Sequence, residues 1–189
     1  MVSGAQAGEE TFDVAPDGTN WVAHGVAQIQ TAGGLERVTG NLVLHADGTP
    51  VKYDWSTQGA QKASAAITFN GPVAMIALHV QGKRPYTQQF TFPSTKIAIL
   101  DNNLYDQFAV LARLYDWQAG GEQTLPVLIP QALTPGSVTL NSLGLQDSGG
   151  KKLTELQVKT ADLEVDLYLD GKKLERIVSP SANAEIVRE

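Results

Sequence analysis

The chain contains no cysteine. Disulfides, thiolate metal sites and cysteine nucleophiles are therefore excluded, while the compartment is left open. It also lacks any run of about 18 apolar residues, so no helix of this sequence spans a bilayer. Positive charge is in the minority: 14 Lys and Arg stand against 20 Asp and Glu, for a net charge of −6. That sign argues against a general nucleic-acid binder and against an anionic membrane surface as partner. Neither Gly-x-Gly-x-x-Gly nor Gly-x-x-x-x-Gly-Lys-Ser/Thr occurs, and no serine lies in Gly-x-Ser-x-Gly, so no cofactor is expected and no serine-hydrolase elbow is visible. Histidine is scarce. His24, His45 and His79 lie on three different predicted strands, with no His-x-His or His-x-x-x-His spacing, and no metal site is expected.

What is present is enough for one core. The 189 residues are 42% hydrophobic and 18% charged, ordinary for a folded domain. The opening Met-Val-Ser-Gly-Ala-Gln-Ala-Gly-Glu-Glu has no apolar segment and is not a signal peptide, although Ala5-Gln6-Ala7 has the small-x-small form of a cleavage site. Residues 1–8 read as a flexible leader and residues 9–189 as a single β-rich domain.

One segment stands apart. In Leu100-Asp-Asn-Asn-Leu-Tyr-Asp-Gln-Phe-Ala-Val-Leu-Ala-Arg-Leu-Tyr-Asp-Trp117, Leu104, Phe108, Leu111 and Tyr115 share one helical face, and Val110, Leu114 and Trp117 share another. So wide an apolar surface predicts a helix over about 103–117, buried on most sides. Asp101, Asn102 or Asn103 would cap its start, and Gly120-Gly121 would end it. Elsewhere the pattern is strand after strand. Asp47-Gly48, Asn70-Gly71 and Asp170-Gly171 are hairpin turns, Val73 to Val80 is apolar enough to be buried on both faces, and Leu163, Val165, Leu167 and Leu169 alternate with acidic residues. Consecutive hairpins make antiparallel sheets, and so many strands curl. The expected fold is mainly β: a single large curved antiparallel sheet, an open or half barrel, wrapped around one buried helix.

Candidate chemistry is thin. Asp101 and Asp106, with Tyr105 between them, are paired acids of the kind that serve as general acid and base, yet acids at a helix start also complement its dipole, and that is the plainer assignment. The histidines His24, His45 and His79 read as satisfied buried or rim residues. Arg37, Thr39, Asn41 and His45 alternate with Val38, Leu42 and Leu44; they form either the solvated back of the sheet or, if the sheet curls the other way, a polar row able to orient a ligand head group.

The segments Gly34-Leu-Glu-Arg-Val-Thr-Gly40, Leu100-Asp-Asn-Asn-Leu-Tyr105, Ala112-Arg-Leu-Tyr-Asp-Trp117, Val127-Leu-Ile-Pro-Gln131 and Asp162-Leu-Glu-Val-Asp-Leu-Tyr-Leu-Asp170 resemble a family of uncharacterised bacterial proteins with a predicted export signal. The likeness covers most of the chain from about Trp21. Its architecture in turn resembles the half-barrel carrier of outer-membrane lipoproteins. The resemblance implies export to the periplasm or envelope and transfers no functional residues. The leading expectation is a module that holds an apolar or amphiphilic ligand between the sheet and the helix, with Leu104, Phe108, Leu111, Tyr115, Trp55, Arg37 and Asn41 in contact with it. A hydrolase or lyase using His, Asp and Tyr side chains is a second expectation. An envelope module that binds another protein is a third.

Overall fold

The computed structural model describes residues 6–60, 62–101, 104–180 and 183–188. Seven strands form the first sheet in simple chain order: β1 (Gly8–Asp17), β2 (Asn20–Thr31), β3 (Gly34–His45), β4 (Pro50–Gln58), β5 (Ala63–Asn70), β6 (Val73–Val80) and β7 (Tyr86–Thr91). Every neighbouring pair is antiparallel, as short Gly-containing turns require. The Asp47-Gly48 turn is representative. His45 N–H donates to the Thr49 carbonyl, the Asp47 carboxylate accepts from the Thr49 amide and hydroxyl, and Gly48 takes a φ of 86° that only glycine adopts cheaply.

The second sheet begins with β8 (Ala98–Ile99), which pairs in parallel with β9 (Glu122–Ile129). A parallel pair needs a crossover, and the crossover carries helix α1 (Asp106–Leu114). From β9 the chain again runs in hairpins through β10 (Thr134–Ser148), β11 (Lys151–Lys159), β12 (Glu164–Asp170), β13 (Lys173–Ser179) and β14 (Ala184–Val187). The fold is thus mainly β and antiparallel, with one sheet curled as a half barrel and, among the described residues, a single helix. Its strands divide into two seven-stranded sheets.

The inner rows of both sheets and the helix share one continuous apolar core. It includes Leu42, Tyr53, Ile67 and Ile76 from the first sheet, Leu140, Leu156 and Leu167 from the second, and Phe108, Val110 and Leu111 from the helix. The helix is buried on every side except at Arg113. It lies within the predicted window and is shorter. Tyr115 leaves it in an extended conformation (φ −65°, ψ 131°), and Asp116 accepts the amides of Gln118 and Ala119 to shape a separate turn, so Trp117 and Gly120-Gly121 lie beyond its end. At the start, Tyr105 occupies the N-cap position and makes no side-chain cap. Asn102 and Asn103 lie outside the described residues.

Burial of β6 on both faces does not occur. Ala74 and Ile76 are buried, but Met75 on the opposite face is 39% exposed and His79 is exposed, because no layer covers the outside of the sheet. Strand β12 follows its alternation: Val165, Leu167 and Leu169 are buried, and Glu164, Asp166 and Tyr168 face out.

Candidate functional site

A cleft of about 290 Å³ opens where the last turn of α1 meets the rims of both sheets. One wall is Val14, Trp21 and Leu44 from β1, β2 and β3, with the Ala46–Gly48 turn beside them; Val110, Ala112, Arg113 and Leu114 of α1, with Trp117 after it, form a second. Leu169, Gly171 and Lys172 of the β12–β13 hairpin form the third. The lining is apolar inside, with Arg113, Lys172, His45 and the acid Asp47 at the edge. The Arg113 guanidinium lies 4.9 Å from the centre of the Trp21 ring, a cation–π stack that holds it at the mouth. Backbone carbonyls at the end of the helix find donors from outside it: Lys96 Nζ donates to Leu114 O at 2.7 Å, and Trp117 Nε1 donates to Ala112 O at 2.9 Å.

At the other end of α1 lies a closed cluster of acids. Glu10, from β1, accepts the backbone N–H of Tyr105 at 2.7 Å and of Asp106 at 2.9 Å, which supplies the missing cap from a distant strand. Tyr53 Oη donates to Asp101 at 2.8 Å and accepts from Gln107 Nε2 at 2.9 Å, while Gln107 Oε1 accepts the Asp101 amide. Asp106 is 1% exposed, and its Oδ1 has no hydrogen-bond partner. Two facing glycines make the room. Gly25 and Gly40 pair across β2 and β3. A Cβ on Gly25 would come within 3.1 Å of both Asp106 Oδ2 and Glu10 Oε1, so both carboxylates converge on that spot. A Cβ on Gly40 would meet Leu104 Cδ1 at 2.5 Å.

Burial dominates the titration of these groups. It pushes Glu10 up to about 7, against the two amides that favour its charged form, with Asp101 adding to the rise. Burial, then the neighbouring Glu10 and Asp101 carboxylates, holds Asp106 well above the usual carboxylate range. Tyr53 is raised by burial and by Asp101, and Tyr105 by burial and by Glu10.

Among the residues singled out from the sequence, Asp101, Tyr105 and Asp106 come together in this cluster. His24, His45 and His79 do not join them. All three are exposed on the outer face of the first sheet. His24 stands opposite Asp13 across the β1–β2 pair, His45 Nδ1 lies 3.2 Å from Asn20 Oδ1, and His79 is four strands along from β2. Of the expectation that these histidines are buried or rim residues, burial is corrected by the pleat, since they fall on the rows that point away from the core, while His45 lies at the rim beside the cleft. Among the described residues no group of three His, Asp or Glu side chains is arranged to hold a metal.

Leu104, Phe108, Leu111 and Tyr115 are packed into the core, and Trp55 packs half-buried against it with its indole nitrogen unpartnered. Arg37 and Asn41 lie on the outer face, in the row that alternates with buried Val38, Leu42 and Leu44, so the polar row is the back of the sheet. The cleft is built instead on the second helical face read from the sequence, Val110 and Leu114, with Trp117. Glu10, Tyr53, Gln107, Arg113 and Lys172 carried no signal that singled them out. Glu10 acts on residues 95 and 96 positions away, beyond the reach of any local pattern.

No protein-family model matches the chain, and comparison with curated proteins found no match either. A solved structure does match over nearly its whole length, covering 94% of this chain and 91% of the other with a TM-score of 0.56. The chain shares its fold with a DUF1089 family protein from Pseudomonas aeruginosa. At 11% identity the likeness is one of fold. It carries no activity, ligand or compartment with it.

Proposed function

We propose that this protein is a binding module whose cleft, between the end of α1 and the rims of the two sheets, takes an apolar or amphiphilic small molecule. The observation that carries the reading is the cleft itself: a recess of about 290 Å³, walled by Trp21, Leu44, Val110, Leu114 and Trp117. Its size is at the lower end of small-molecule sites, which suits a single chain or ring better than a two-chain lipid. Burial of the guest's apolar surface supplies the affinity, at about 25 cal/mol per Å² before the costs of association. Leu104, Phe108, Leu111 and Tyr115 lie in the core and do not line the cleft. The acid cluster serves the fold in this reading, since Asp106, Asp101 and Gln107 are buried and none of them lines the cleft. Service in the bacterial envelope belongs to the same proposal and rests on the sequence resemblance described above.

Two of the three tryptophans line the cleft, so uptake has an internal probe. Titration of the purified protein with dodecanol below its solubility limit should quench or shift tryptophan emission and saturate at one equivalent. Ala112→Phe, which fills the cleft from the helix, should abolish that saturation without loss of the folded circular-dichroism signal. Saturable uptake that persists in the filled variant, or no uptake by the unaltered chain, would overturn the assignment.

A further inference from the structure

The charge at the mouth of the cleft goes beyond its apolar lining and, resting on the reading above, specifies the guest. The chain carries a net charge of −6, yet the two long charged side chains at this mouth are both cations, Arg113 and Lys172. Neither takes part in an ion pair among the described residues, where the salt bridges are those of Lys52, Lys159, Lys173 and Arg176. The acid that also lines the cleft, Asp47, keeps its negative charge, held below the usual carboxylate range by the amide and hydroxyl of Thr49 on its Oδ1 within its own hairpin, so the two cations outnumber it at the mouth. His45 is directed to Asn20. The negative end of the helix points toward this region and would oppose an anion, but the ammonium of Lys96 sits on the Leu114 carbonyl and offsets it. Arg113 is pre-set by its stack on Trp21, so little side-chain freedom is lost when its planar fork meets an oxyanion.

We propose that the cleft selects a single-chain anionic amphiphile, with the oxyanion head between Arg113 and Lys172 and the chain laid along Trp21, Val110 and Leu114. The chemistry asks for a carboxylate, sulfate or phosphate head on one apolar tail.

The test compares dodecanoate, dodecanol and dodecylammonium on the full chain by tryptophan fluorescence. Dodecanoate should bind about tenfold more tightly than either of the others, the scale of one charge-assisted contact at a wet rim. That ratio should fall toward one in a chain carrying Arg113→Gln and Lys172→Gln. It should also fall in the unaltered chain as salt is raised, because the contact is exposed to screening, and this second measurement stands even if the double variant folds poorly. Equal affinity for all three probes would overturn the head-group assignment and leave the cleft reading intact. Binding of none would remove both. A carboxylate preference that survives the double substitution and high salt would place the anion elsewhere and overturn the assignment.

Discussion

Glu10 and Asp106, ninety-six positions apart, meet at the start of the helix: the carboxylate of the first accepts the backbone N–H of the second at 2.9 Å. The contact answers a need created by the local sequence, since Tyr105 at the N-cap offers no side-chain acceptor. It also brings two acids over the same glycine, Gly25, Asp106 buried and Glu10 half-buried. The relationship therefore stabilises the helix start through hydrogen bonds and opposes it through charge, and the balance depends on pH.

The sign of that dependence follows from the raised value of Glu10. A carboxyl that binds its proton more tightly in the folded state than in the unfolded state contributes stability below the unfolded value. That contribution is lost as pH rises toward the folded value. For Glu10 the window runs from 4.5 to about 7, and the change across it is on the order of 3 kcal/mol. Asp106, shifted in the same direction, adds to it. Urea unfolding at pH 5 and pH 8 should show the lower stability at pH 8. Glu10→Gln should flatten the difference, and an unaltered difference in that variant would assign it to other groups.

Removing the acceptor altogether has a different consequence. Glu10→Ala leaves the Tyr105 and Asp106 amides at a helix start with no partner. The loss should be about 1–3 kcal/mol at pH 5, where the ionic part is small. Hydrogen exchange of these two amides should accelerate more than that of the mid-helix amides of Val110 and Leu111.

The class of fold was legible because it rests on local signals: Asp47-Gly48, Asn70-Gly71 and Asp170-Gly171 turn the chain where their dipeptides predict, and the period-2 rows of β3 and β12 face as their alternation requires. The helix was legible as the one segment of period 3.6. Its ends were not, because they are fixed by Glu10 and Lys96, side chains from distant strands and loops. The division into two sheets was also hidden, since hairpin signals report neighbours in sequence and not where one sheet stops. Asp101, Tyr105 and Asp106 could be singled out by proximity in the chain. The cleft could not, because Trp21, Arg113 and Lys172 come from three separate elements.

The hydroxyl of Tyr53 ties the cluster to the first sheet. It is fully buried, donating to Asp101 and accepting from Gln107. Tyr53→Phe keeps the ring and strips both partners of a bond, so the expected loss is about 1–3 kcal/mol, with little structural change, by thermal or urea unfolding. A loss near zero would mean that water replaces the hydroxyl.

The facing glycines offer a comparison of two kinds of crowding. At Gly40 an added methyl would press on Leu104 Cδ1 at 2.5 Å and Tyr53 Oη at 3.0 Å, both inside the core. At Gly25 it would press on the Asp106 and Glu10 carboxylates. Gly40→Ala should cost about 1–3 kcal/mol by overpacking, at any pH. Gly25→Ala should cost more at pH 8 than at pH 5, because it forces together groups that repel only when ionised. Parallel pH dependence in the two variants would contradict the convergence of the acids on Gly25.

At the opposite end of the helix, Lys96 supplies what the sequence after Leu114 does not. The helix stops as Tyr115 turns extended, and the Leu114 carbonyl takes the Lys96 ammonium at 2.7 Å. A cation on the final carbonyls is favoured both as a hydrogen-bond donor and by the helix dipole, together worth about 1–2 kcal/mol in a partly buried site. Lys96→Met preserves the apolar stem that lies near Gly48 and removes the charge. The variant should lose about that much stability in urea unfolding, and Lys96→Arg should recover part of it. The same loss should bare the negative end of the helix beside the cleft. Dodecanoate affinity should then fall in Lys96→Met while dodecanol affinity changes little, which separates the electrostatic role of Lys96 from simple support of the cleft wall.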